Sequence, residues 1–383
     1  LSHQKAAGSV GVFALLFSDY TNSNLAGQLA AMDSADDLVK QHGFLLGFVL
    51  FWWHRLQPVF LKVDTPGTRA FVFGIGVSYL LYTVGRLVTF FWTFVRPSTL
   101  NVYCHSPTGS WALVTGASDG IGLGFSQELL ENGFNVLLHG RNAEKLGRVK
   151  KQLQQEFPER SIDFVVADAS EYDHPEQVVA EKAKSLPGKL TVLVNNVGGV
   201  TTKPQYLTVA DIPSADIDTQ LNVNARFPLQ LTHELLPVLQ AHQPALIVNC
   251  GSAGGVAGSP YIVTYTSTKA FIHTFSMGLK AEMAAEGLQP VWKPRPAGIE
   301  VKGFIIGNVR SQANTSEMPF FTEDARVAAK GCLARIGGAE ALQFATLRQA
   351  LQLSVLTNLP GNLVERGLIA EMTKRKLAQD KML

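Results

Sequence analysis

From residue 110 onward, short apolar runs alternate with stretches of helical apolar spacing. Trp111–Thr115 predicts a strand and Ile121–Asn132 a helix, then Asn135–His139 a strand and Ala143–Phe157 a charged helix. Ile162–Ala167 and Leu190–Val194 predict two further strands, Ala245–Asn249 a buried fifth, and Ile299–Ile306 another. Strand and helix in this order predict an α/β architecture: a doubly wound parallel sheet with helices on both faces. Further on, Ala325–Arg335 and Ala339–Leu356 carry helical spacing, and Thr373-Lys-Arg-Lys376 reads as a solvated basic tail.

The first hundred residues have a different texture. Residues 1–42 are small, polar and weakly patterned apart from the apolar run Val10–Phe17, and Phe44–Trp53 is a short apolar run ended by His54 and Arg55. Ala70–Val95 is long enough to cross a bilayer, which takes about 20 apolar residues. Arg69 and Arg96 flank it, and Phe90, Phe91, Trp92 and Phe94 cluster at one end as interfacial aromatics do. Arg86 stands against a simple span, because a charge in mid-membrane is costly. The expectation is an N-terminal hydrophobic helical segment attached to a membrane. A buried helical hairpin and an apolar face for a protein partner are the alternatives, and the number of spans is open. Arg96-Pro97-Ser98 and the loop to Gly109-Ser110 mark a boundary. The chain divides into residues 1–100, 101–312 and 313–383: hydrophobic region, cofactor-binding domain, and helical region with tail.

Charge narrows the partners. Lys plus Arg number 33 against 31 Asp plus Glu, so no basic field points to nucleic acid. Cys104, Cys250 and Cys332 are widely spaced with no Cys-x-x-Cys or Cys/His cluster, which argues against a disulfide framework or structural zinc and fits a reducing compartment.

Between the first strand and first helix lies Thr115-Gly-Ala-Ser-Asp-Gly-Ile-Gly122. Gly116, Gly120 and Gly122 let the backbone turn sharply and approach a pyrophosphate at a helix N-terminus. A dinucleotide fold that selects NAD carries an acidic residue about 20 residues on. Here the second strand ends His139-Gly-Arg-Asn142, and the Arg141 guanidinium suits the extra phosphate of NADP(H). Asp168, closing the third strand, either accepts a hydrogen bond from the adenine amino group or caps the next helix. Tyr265 and Lys269 stand four apart, so a helix places both on one face. Ser252 follows the fifth strand, and the three polar groups can converge on one carbonyl oxygen. Tyr261 is eight residues from Lys269 and lacks that relation.

In order and spacing, Thr115-Gly-x-x-x-Gly-Ile-Gly122, Asn195-Asn-Val-Gly198, Asn222-Val-Asn224, Ser252 and Tyr265-x-x-x-Lys269 resemble the short-chain dehydrogenase/reductases over residues 110–312. The resemblance implies a Rossmann-type sheet and a catalytic tetrad of Asn224, Ser252, Tyr265 and Lys269. It implies NADP(H) contacts from Gly116, Ser118, Asp119, Gly120, Ile121, Gly122, Arg141, Asp168, Asn196, Tyr265, Lys269 and Val309, with no metal. Tyr265 would be the proton donor, Lys269 would lower its pKa, and Asn224 would support a water-mediated proton path. The family's Pro-Gly-x-Val-x-Thr appears as Ile306-Gly-Asn-Val-Arg-Ser311, without the proline, and Gln289–Ala297 reads as an insertion. The hydrophobic start, Arg-Pro-Ser and Leu-His-Gly-Arg-Asn are similar to the membrane-bound branch of very-long-chain 3-oxoacyl-CoA reductases and 17-beta-hydroxysteroid dehydrogenases. That branch implies a lipophilic acyl-CoA or steroid substrate, a substrate lid in the last seventy residues, and an endoplasmic reticulum membrane location with the catalytic domain toward the cytosol. It leaves a homo-oligomer open.

Overall fold

The computed structural model describes residues 65–105, 109–288, 298–310 and 322–382. The runs Val10–Phe17 and Phe44–Trp53, the segment 289–297 and Ser311 lie outside them. Contacts divide the chain into two units, Leu1–Thr89 and Phe90–Leu383. Helix α1 (Pro66–Val95) is continuous and buries none of its residues, so Ala70–Val95 is not a buried hairpin. By length and composition α1 is sufficient to cross a membrane.

The second unit alternates strand and helix. In chain order it contains β1 (Ser110–Thr115), α2 (Gly120–Glu131), β2 (Asn135–Gly140), α3 (Ala143–Glu156), β3 (Ile162–Val166), α4 (Pro175–Lys184) and β4 (Lys189–Asn195). There follow α5 (Ser214–Leu221), α6 (Phe227–Ala241), β5 (Ala245–Cys250), α7 (Val263–Ala285) and β6 (Ile299–Ile305). The described remainder is β7 (Val309–Arg310), β8 (Glu323–Asp324), α8 (Ala325–Ala334), β9 (Leu342–Phe344), α9 (Leu347–Asn358) and α10 (Gly361–Asp380). Seven strands form one sheet in the order β3-β2-β1-β4-β5-β6-β9, and each neighbouring pair is parallel. This is the doubly wound Rossmann-type sheet, with its order reversing between β1 and β4.

Every residue of β1, β2 and β5 is buried, because helices cover both faces. Alternation sorts their side chains between two cores. Ala112, Val114, Val136 and Leu138 pack with Phe125 and Leu129 of α2 and with Ala328 and Cys332 of α8. Leu113, Leu137, Leu193 and Ile247 pack with Leu231 and Leu235 of α6 and with Leu279 and Met283 of α7.

The region after α8 departs from the expected uninterrupted helix over Ala339–Leu356. Leu342–Phe344 instead pairs with Gly303–Ile305 as the sheet's last strand, and α9 starts only after Thr346, whose hydroxyl accepts from the Gln349 amide. The open edge of β6 requires backbone partners, and that demand outweighs the local apolar spacing. The basic tail also differs: Thr373–Lys376 lies inside α10, where Arg375 pairs with Glu371 and Lys376 with Asp380 one turn away.

Helix α8 lies directly on α2. A Cβ at Gly124 would stand 2.8 Å from Arg326 Cα and 2.9 Å from the Ala325 carbonyl oxygen. Arg326 then reaches Glu128 and Glu131 of α2, each at 2.7 Å. Because the obstacle is backbone, Gly124→Val is expected to destabilise the protein by at least about 1–3 kcal/mol. Urea unfolding measures it, with Gly147→Val, an open site, as the control.

Candidate active site

The carboxyl ends of β1, β4 and β5 meet at one cleft. Between β1 and α2, Gly116 and Gly120 adopt φ of +65° and +54°, the left-handed region that glycine enters without strain. Gly122 opens α2 against that turn, and a Cβ on it would lie 2.1 Å from the Gly116 carbonyl oxygen. The Asp119 carboxylate caps α2 by accepting from the Gly120 amide at 2.7 Å. Asn196, after β4, donates from Nδ2 to the Thr115 carbonyl at 2.9 Å. Thr115 Oγ1 in turn accepts the amides of Asn196 at 2.9 Å and Val197 at 3.0 Å. The turn is therefore stitched to β4, with the α2 N-terminus facing the cleft.

Gly116, Asp119, Gly120, Ile121, Asn196, Ser252, Tyr265, Lys269 and Val309 all line this cleft. Ser118, Gly122, Arg141, Asp168 and Asn224 stand outside that lining. Ser118 is half-buried within the turn. Arg141 follows β2 and is largely exposed, its guanidinium 3.9 Å from the Asp168 carboxylate. Asp168 Oδ1 accepts from the Ser170 amide at 3.0 Å and its hydroxyl at 2.8 Å. It does not cap α4, whose N-cap is His174.

Asn224 sits in a π-helical turn between α5 and α6, almost fully buried. Its side chain pairs with both backbone groups of Gly199: Oδ1 accepts the amide at 2.8 Å, and Nδ2 donates to the carbonyl at 2.9 Å. A Cβ at Gly198 would stand 2.5 Å from Asn224 Oδ1 and 3.0 Å from Lys269 Nζ, so those two groups converge on one glycine.

Ser252 Oγ accepts the Gly254 amide at 3.1 Å, and the serine side chain acts on the Tyr265 phenol, favouring its charged form. One turn beyond Tyr265, the buried Lys269 ammonium donates to the Cys250 carbonyl at 2.9 Å and lies 6.0 Å from the Tyr265 ring centre. Burial raises the Tyr265 pKa above its ordinary value, and Ser252 only partly opposes this. The net direction is upward, and the lowering expected from Lys269 does not reverse it. The ammonium is aimed at a carbonyl, and desolvation of a phenolate dominates. Burial likewise lowers the Lys269 pKa.

Sequence reasoning missed several parts of the cleft wall. Gly199, Cys250 and Gly251 line it, and they carry no signal beyond adjacency to the motifs. Lys145, in the first turn of α3, brings its ammonium within 3.6 Å of the Asp119 carboxylate beside the glycine turn. Its place at the helix start after β2 was the available clue. Tyr261 is set apart from the pair: its ring lies 5.9 Å from Lys376 Nζ.

Residues 110–317 match the short chain dehydrogenase family. The chain is 35% identical over 232 residues to a very-long-chain 3-oxoacyl-CoA reductase of Laccaria bicolor, covering 59% of this chain and 66% of that protein. It is 34% identical over 180 residues to hydroxysteroid dehydrogenase-like protein 1 of Gallus gallus, covering 47% and 53%. The chain thus spans less than two-thirds of the length of either relative. A solved 7beta-hydroxysteroid dehydrogenase superposes with a TM-score of 0.59 at 19% identity, over 68% of this chain and 97% of that one. At that identity the likeness is one of fold.

Proposed function

This chain belongs to the short-chain dehydrogenase family, and from that premise we propose that it reduces the ketone of a long-chain 3-oxoacyl-CoA with NADPH. The observation that carries the reading is the meeting of Ser252, Tyr265 and Lys269 with the glycine turn in the lining of one cleft. The reductase name of the Laccaria relative supports the substrate class.

The cleft fits a dinucleotide. The space that a Cβ at Gly122 would fill lets the turn and the α2 N-terminus close up, so that amides face a pyrophosphate. Arg141 and Lys145 are the cations on the adenosine side, and together they favour the extra phosphate of NADP(H). The bound reduced nicotinamide supplies the hydride. The residues handle the proton. With its pKa raised, the Tyr265 hydroxyl is protonated at neutral pH and donates to the carbonyl oxygen as that oxygen gains charge. The Ser252 hydroxyl donates a hydrogen bond to the same oxygen. Lys269 stabilises the phenolate left behind, and Asn224, beside it and locked to Gly199, orders the route by which a proton returns to Tyr265.

Helix α1 is the membrane anchor in this reading, with the catalytic unit on the cytosolic face of the endoplasmic reticulum, where a lipophilic acyl chain is at hand. Carbonate extraction of membranes carrying the full chain is expected to leave it in the pellet. Recovery in the supernatant would remove the anchor.

The substrate is tested by NADPH oxidation with 3-oxoacyl-CoAs of several chain lengths against ketosteroids. Turnover confined to the steroids would favour the reading suggested by the Gallus relative's name. On the preferred substrate, Tyr265→Phe is expected to lose about 10²–10⁴-fold in turnover while NADPH affinity stays close to wild type. A silent Tyr265→Phe would reject the assigned proton donor.

Arg141→Asp is expected to swing preference from NADP(H) toward NAD(H), since a carboxylate repels the phosphate and accepts ribose hydroxyls. A wild type that uses NADH as well as NADPH would overturn this part.

A further inference from the structure

We propose that His273 is a positioning residue for the reaction: its imidazole Nε2 accepts the Ser252 amide and holds the serine hydroxyl beside Tyr265. The inference rests on the hydride-transfer roles given above for Ser252 and Tyr265, and it names a residue outside the tetrad.

The ring lies on the same stripe of α7 as the pair it serves. Tyr265, Lys269 and His273 are spaced by one helical turn each. The Ser252 amide donates to His273 Nε2 at 3.3 Å. The remaining groups of Ser252 are tied locally: its hydroxyl accepts the Gly254 amide at 3.1 Å, and its carbonyl accepts the Gly255 amide at 2.9 Å. The imidazole thus ties the Ser252 backbone itself to the catalytic helix, beside the Lys269 bond to the neighbouring Cys250 carbonyl.

Two glycines make room for it. A Cβ at Gly251 would lie 2.3 Å from Nε2, and one at Gly255 would lie 2.7 Å from the Lys269 carbonyl carbon and 2.8 Å from Cε1. A side chain at either position would push the ring away from Ser252. The segment Gly251-Ser-Ala-Gly-Gly255 thus lies directly against the imidazole and the α7 backbone that carries it.

The charge state agrees with the geometry. Burial and the neighbouring Lys269 ammonium push the His273 pKa down to about 4, against a hydrogen bond with the Gly255 backbone that favours the charged form. At neutral pH the ring is uncharged. Because the Ser252 amide donates to Nε2, that nitrogen is the acceptor and the neutral ring carries its proton on Nδ1.

The role predicts an effect on turnover rather than on cofactor binding. A displacement of about 1 Å in a reacting group can cost about 10²-fold, and Ser252 is the group that moves when this acceptor is lost. The test combines two readouts. In histidine-¹⁵N-labelled enzyme, the signal lost in the His273→Gln variant is expected to report a ring protonated at Nδ1 and bare at Nε2. A ring protonated at Nε2 would overturn the proposal. This readout needs no substrate, so a wild type inactive on 3-oxohexadecanoyl-CoA would count against the substrate reading and not against His273. The second readout is kinetic, with whichever carbonyl compound wild type reduces. His273→Phe, which keeps a ring and removes both nitrogens, is expected to lower kcat about 10–10²-fold with NADPH affinity and substrate KM nearly unchanged. His273→Gln, which restores an acceptor, is expected to recover most of that loss. The proposal fails if His273→Phe keeps wild-type kcat. It fails equally if kcat and NADPH affinity fall together and glutamine restores neither.

Discussion

The contact on which the rest of this unit depends is backbone against backbone. Gly122, at the start of α2, leaves no space for a Cβ beside the Gly116 carbonyl. That approach sets the helix on the carboxyl end of β1 and aims its free amides into the cleft. Asn196 binds the same turn from β4, so the point where the strand order reverses becomes a rigid corner. A parallel sheet covered on both faces leaves its strand ends as the open surface, and here the corner falls at such an end.

A second set of ties holds the catalytic helix to that corner. Buried ions need partners, and Lys269 finds one in the Cys250 carbonyl at the end of β5. Through it, and through His273, α7 is attached to the strand that presents Ser252. The amino end of β6 uses the same logic without chemistry. Lys302 has no exposed side chain and lies 3.5 Å from Glu300, and it donates to the Glu340 carbonyl at 2.6 Å. Glu300 also accepts from the Tyr103 hydroxyl and from the Gly337 amide. Burial pushes Lys302 down to about 8, and its partners keep the charge. Nearby, Arg96 donates to the Arg335 and Ile336 carbonyls, while Arg335 returns a bond to Thr93. The segment before β1 is thereby stapled to the loop after α8.

These ties differ in how far a reader of the chain could foresee them. Tyr265 and Lys269 were legible because helical spacing is local, and the glycine turn was legible because only glycine tolerates its φ. Ser252 followed from its place behind a buried strand. Leu342–Phe344 was not legible as a strand: its three residues carry too little pattern, and only the exposed edge of β6 recruits them. Thr373–Lys376 reads as a solvated tail in the sequence because charge alone cannot reveal that i,i+4 partners absorb it inside α10.

What the sequence by itself determined is therefore what depends on neighbours a few residues away: the alternation of strand and helix, the sharp turn, the four-residue step from Tyr265 to Lys269. The tertiary structure decided what depends on distant segments meeting. It set the direction of the Tyr265 shift, because desolvation is a property of everything packed around a group. It also decided that Asn224 holds Gly199, that Lys145 stands by the glycine turn, and that His273 reaches Ser252 twenty-one residues away. No local pattern encodes those distances. They follow from how seven parallel strands and their covering helices fill space.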